Sequence, residues 1–108
     1  MKIRIYQINP QKDTAKVIFQ PFTLLEKLQG NHEINSKIYD LIYDNEVDCK
    51  DLEDVFELFN INHPSGYKGR SLSVSDIVEV YESNAVKPGF YFCDICGFKK
   101  VSFNPKLV

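Results

Sequence analysis

Phe59-Asn60-Ile61-Asn62-His63-Pro64 runs on through Gly69-Arg70-Ser71-Leu72-Ser73-Val74-Ser75-Asp76 to Ile77-Val78-Glu79-Val80-Tyr81. It decides the fold, because it takes the chain off the end of a helix, across a polar loop and into a β-branched strand. A chain that changes from a period near 3.6 to an alternating one within twenty residues is mixed α and β. Upstream, Leu52, Val55, Phe56 and Phe59 fall at i, i+3, i+4 and i+7, giving residues 51–59 one apolar and one acidic helix face. Asp48, Asp51, Glu53 and Asp54 crowd its N-terminal end, where the helix dipole favours carboxylates. Pro64 and Gly66 end it.

Downstream, Ile77 to Tyr81, Gly89 to Asp94 and Phe98 to Phe103 read as strands. Asp94-Ile95-Cys96-Gly97 is a tight turn between the last two, with Gly97 supplying the positive φ. At the other end, Lys2 to Ile8 alternates and is closed by Asn9-Pro10. Lys16-Val17-Ile18-Phe19-Gln20 reads as a second strand, so residues 2–20 are expected to form a hairpin around a turn held by Asp13. Thr23 to Gln29 is a short helix with Thr23 as cap and Glu26 in the capping-box position, stopped by Gly30-Asn31. It is expected to dock through Phe22, Leu24, Leu25 and Leu28. Ile38 to Tyr43 fits a helix or a strand, and its β-branched and aromatic content favours strand. Residues after Asn104-Pro105 are expected to be loose.

These elements predict a single domain over residues 1–108. The fold class is α+β: an antiparallel sheet of four to six strands with one or two short helices packed on one face. The 108 residues bury a real core, and eight Phe with six Tyr and no Trp make it aromatic. A formal charge of −2 excludes a global phosphate-neutralising role and leaves no strong nucleic-acid signature. Between residues 40 and 57, however, Asp40, Asp44, Glu46, Asp48, Asp51, Glu53, Asp54 and Glu57 stand against Lys50 alone, a local net of −7. No apolar run approaches the ~18 residues a membrane span needs. Met1 to Gln7 hold neither an apolar run nor a small-residue cleavage site, which argues against export, and the three cysteines are then expected to be reduced thiols in a cytoplasm.

Several of these stretches together resemble the YodL-like family. They are Tyr6-Gln7-Ile8-Asn9 with Asp13, Tyr43 with Glu46-Val47, Leu52-Glu53-Asp54-Val55-Phe56, the two runs at 59–64 and 69–76, and Phe90-Tyr91-Phe92-Cys93-Asp94 with Gly97-Phe98. Such domains occur as small bacterial proteins and as segments of large proteins carried by conjugative and other mobile elements. The resemblance implies that context, and it assigns no catalytic residue. Cys96 departs from the family pattern.

Asn60, His63, Arg70, Ser71, Ser73, Ser75 and Asp76 are the candidate binding residues. Three hydroxyls beside a guanidinium could grip an anion, and His63 is the one base available to a nucleophilic serine. The simpler expectation is that they hold the loop together: Arg70 on a carboxylate or carbonyls, the serines and Asp76 closing turns, Asn60 finishing the helix. If the run is extended, Leu72 and Val74 face inward and the serines outward. Asp51, Glu53, Asp54 and Glu57 form a candidate acidic docking face. Cys93-Asp94-Ile95-Cys96 is a lone CxxC at a strand end, and a zinc site would need Cys49, His63 or His32 to join it, so no metal and no cofactor are expected. The function expected is a non-enzymatic protein-interaction or accessory module of bacterial mobile elements. Its partner would be another protein bound through the acidic helix or the 60–76 loop. The alternative is a small hydrolase or nucleic-acid-acting enzyme using the His63, Arg70 and Asp76 region. Nothing in the sequence specifies an oligomeric state.

Overall fold

The computed structural model describes all 108 residues. Five strands form one open antiparallel sheet: β1 Lys2–Ile8, β2 Tyr39–Glu46, β3 Ile77–Glu82, β4 Gly89–Asp94 and β5 Gly97–Val101, in the spatial order β2-β1-β3-β4-β5. Two short α-helices, α1 Leu25–Gln29 and α2 Leu52–Ile61, complete an α+β fold.

β1 is an interior strand, paired with β2 on one side and β3 on the other. That position corrects the hairpin expected at residues 2–20. Lys16 and Phe19 have φ of 59° and 65°, which breaks an extended run. The Asp13 carboxylate accepts hydrogen bonds from Val17 N and Ile18 N, so their amides turn back on a buried side chain and are lost to any ladder. Residues 39–46, ambiguous between helix and strand, supply β1's partner instead. Asn35 caps a 3-10 turn at Ser36–Ile38 that feeds this strand. In the β1–β2 ladder Ile5 faces Tyr43 and Tyr6 faces Leu41, so Ile42 is the extra residue of a bulge.

Both faces of the sheet are covered. Ile3, Ile5, Val78, Val80 and Cys93 pack beneath Val55 and Phe59 of α2 together with Leu72. With the opposite parity, Tyr6, Ile8, Ile77 and Phe92 pack with Leu25 of α1, Val17 and Phe103. α1 therefore lies across the sheet from α2, and the two do not share one face. Coverage on both sides explains why five of the seven residues of β1 are buried where simple alternation would leave half exposed.

Other boundaries shift for local reasons. α2 is capped by Asp51, whose carboxylate accepts from Asp54 N, and it runs on to Ile61, past the expected end at Phe59; Phe56 ends up on its solvent side, 38% exposed. α1 begins through a 3-10 turn at Phe22–Leu24 with no side-chain cap, so Thr23 does not play that part; Leu24 and Leu28 are exposed. Gly30 and Gly97 take positive φ as expected, 94° and 90°. β5 stops at Val101. The C-terminal residues are held as a 3-10 turn at Pro105–Leu107 capped by Asn104, whose own N–H donates to the buried Ser36 hydroxyl.

Candidate functional site

The 60–76 loop is built on α2 and on the C-terminal half of β1. Asn60 Nδ2 donates to Phe56 O and Leu72 O, and Leu72 N donates to Phe59 O, so the loop returns along the helix end. Tyr67 folds its ring edge-on against Phe59 and Tyr43, 4.9 and 5.8 Å between centroids. Its hydroxyl donates to Arg70 O. Gly69 is required here by space. A Cβ on it would stand 2.5 Å from both Ile42 Cγ2 and the Tyr67 hydroxyl.

The polar centre of the loop is Gln7, which the sequence reading left aside as one more residue of an alternating strand. It is 2% exposed, and its Nε2 lies within bonding distance of Tyr67 Oη, Arg70 O and Asp76 Oδ2, while its Oε1 accepts from Arg70 N. Arg70 Nη2 donates to Ile8 O at 3.0 Å, and its guanidinium lies 5.6 Å from the centre of the Phe19 ring. The expected carbonyl bridge from Arg70 is therefore present; no carboxylate stands within ion-pair distance of it.

Asp76 is fully buried. Its Oδ2 accepts from Ser73 N at 2.8 Å and from Gln7, and its own N–H donates to Ser73 O, closing the turn before β3. Burial pushes the carboxyl up to about 7, against the opposing pull of the Ser73 amide, Gln7 and Arg70. This turn also corrects the expected placement of the serines. Ser75 takes φ of 83° and is buried, with its hydroxyl accepting from Phe19 N and its carbonyl from the Tyr39 hydroxyl; Val74 is only half-buried. Ser73 Oγ donates to Ser71 O.

His63 does not join Arg70 and Asp76. It is exposed, edge-on to Tyr67, with Nε2 3.3 Å from Ser71 Oγ. An open groove lies elsewhere, between residues 14–36 and 100–107, lined among others by Phe22, His32, Asn35, Lys100 and Asn104. None of the candidate residues lines it. Its walls come from four separated segments, and no spacing in the sequence announces such a convergence.

On α2, Asp51, Glu53 and Glu57 are exposed, and Asp54 is half-buried with Oδ2 accepting from Lys50 N. None of the four makes an ion pair, whereas Asp40, Asp44, Glu79 and Glu82 are paired with Lys12, Arg4, Arg4 and Lys2. The two cysteines of the CxxC sit in different surroundings. Cys93 is buried under α2, its thiol pushed up to about 12 by that burial, and Cys96 is exposed in the turn. No three His, Cys, Asp or Glu side chains gather closely enough to hold a metal ion. No helix is long and apolar enough to cross a membrane.

Fold and site together define a small α+β domain whose open sheet is clasped by a polar loop and flanked by an acidic helix. The model of the YodL-like domain matches residues 2–103, and the chain belongs to that family. No curated protein and no solved structure matches it.

Proposed function

We propose that this domain is a non-enzymatic protein-interaction module, an accessory unit of bacterial mobile elements, that docks a basic segment of another protein on the outer face of α2. The observation that carries this is the exposed set Asp51, Glu53 and Glu57, unneutralised by any cation of the chain, beside the exposed apolar side chains of Phe56 and Ile61. Carboxylates around an apolar pair suit a cationic amphipathic segment: charge steers the encounter and sets the register, and the apolar contacts supply affinity. The loop polar groups support the same reading, since Ser73, Ser75, Asp76 and Arg70 are engaged within the fold. Three free thiols suit a reducing cytoplasm.

Fluorescence anisotropy with a panel of Lys/Arg-rich amphipathic peptides, and acidic peptides as controls, tests it. Expected is binding of basic peptides that weakens as salt rises and disappears in Glu53→Lys/Glu57→Lys at unchanged melting temperature. Absence of binding to every basic peptide at low salt, or binding indifferent to the charge reversal, would sink it.

One contact favours a second reading, a small hydrolase: Ser71 Oγ stands 3.3 Å from His63 Nε2, near the spacing of a nucleophile and its base. Against it, the imidazole has no carboxylate partner and the pair lies on the surface. Hydrolysis of p-nitrophenyl acetate that is lost in both Ser71→Ala and His63→Gln would establish it; equal rates in all three proteins would remove it.

A further inference from the structure

Two buried side-chain polar atoms in the whole molecule have no hydrogen-bond partner, and both belong to the loop clasp: Arg70 Nε, a donor, and Asp76 Oδ1, an acceptor. Native interiors leave few such atoms, so a complementary orphaned pair in one network asks for a reason. Asp76 is 0% exposed, and its other oxygen already takes two donors. The groups acting on it come from every packed element: Gln7 of β1, Tyr39 of β2, Tyr67 and Arg70 of the loop, and Cys93 of β4. The Tyr39, Tyr67 and Cys93 groups are neutral near pH 7, since their ordinary pKa values of 10.0, 10.0 and 9.0 lie above it and burial raises them further. Arg70 is thus the one charge that can answer a charge on Asp76, and it is bonded to Ile8 O instead.

We propose that Asp76 is the proton-controlled pin of a clasp. When it is neutral, the segment from Tyr67 to Asp76 is locked onto Gln7 as the structure shows. When it ionises, a buried charge that its two donors and Arg70 only partly offset loosens that segment from β1. Because Oδ2 already accepts two donors, the proton of a neutral carboxyl rests on Oδ1 and no charge is buried; an ionised group there would bear a large desolvation cost. Burial places the change near neutral pH, since it pushes the group up to about 7 from an ordinary 3.8. A folded-state value above the unfolded one stabilises fully below the unfolded pKa, and the effect is lost as pH rises through the folded one. The clasp is therefore tightest on the acid side, loosens progressively as pH rises from about 4 to about 7, and stays loose above that. It does not depend on what α2 binds, since Glu53 and Glu57 lie outside it.

Amide hydrogen exchange, corrected for intrinsic rates, tests this at pH 5.5 and pH 8. The background carries His32→Gln and His63→Gln, which removes both imidazoles of the chain. Expected is a drop of about tenfold or more in protection of residues 67–76 on going to pH 8, with the amides of β3 from Val78 onward holding. In Asp76→Asn, which keeps an acceptor without the charge, that drop should vanish. Protection independent of pH, or the same drop in Asp76→Asn, would overturn the clasp. Should that variant fail to fold, carbon-13 titration of the Asp76 carboxyl in the parent protein decides: a midpoint near 7 supports it and one near 4 refutes it.

Discussion

At the scale of single residues, the polar side chains of the loop are structural to a degree that their types alone did not show. Gln7 is the clearest case. Replacing it by Leu adds apolar bulk to a buried site, yet it strips Arg70 N of its acceptor and Asp76 of one of its two donors. Leaving buried groups unpaired costs about 1–3 kcal/mol each. Gln7→Leu is therefore expected to lower the urea midpoint by on the order of 2 kcal/mol of stability, and an unchanged or raised midpoint would contradict the network. Gly69→Ala tests the packing beneath it. The Tyr67 hydroxyl is pinned by Arg70 O and Gln7, so the new methyl has nowhere to go without shifting Ile42 or the loop. Overpacking of this kind costs about 1–3 kcal/mol, read as a drop in the thermal midpoint.

Among the elements, β1 and β4 kept their expected limits, whereas α2 runs two residues past its expected end, to Ile61. Asp51→Ala removes the bond from Asp54 N and is expected to cost about 1 kcal/mol, measured by chemical denaturation. Since Asp51 both caps and faces solvent, Glu53 and Glu57 are the cleaner positions for probing a docking role. Lys16–Gln20 shows where local reading fails. Its composition suits a strand, but Asp13 offers its amides a side-chain carboxylate, and the place beside β1 is taken by β2. Phe56 failed differently. Its spacing fits the apolar stripe, yet Val55 and Phe59 already fill the space over Ile3, Ile5 and Val80.

For the whole molecule, the open sheet leaves β2 and β5 as edges. β5 presents the exposed pair Lys99 and Lys100, a device that discourages edge-to-edge pairing. Lys99→Ile/Lys100→Ile is expected to raise light scattering on concentration relative to the parent; an unaltered profile would show that the edge is protected otherwise. Global stability should also follow Asp76, falling by on the order of 1–3 kcal/mol from pH 5.5 to pH 8 and flattening in Asp76→Asn.

By itself the sequence determined what short-range physics controls. That includes the class of fold, the limits of β1 and β4, the place of the acidic helix α2 ahead of the polar loop, and the positive-φ glycines at 30 and 97. Family membership was legible too, in runs spread over nearly the whole chain. Only the tertiary structure decided which strands neighbour β1, that each sheet face has its own helix, and that Gln7 rather than His63 is the partner of Asp76. Those outcomes depend on pairing between residues 31 to 80 positions apart. There, competition for the same backbone groups and the same buried volume selects one arrangement from several that local preference permits equally.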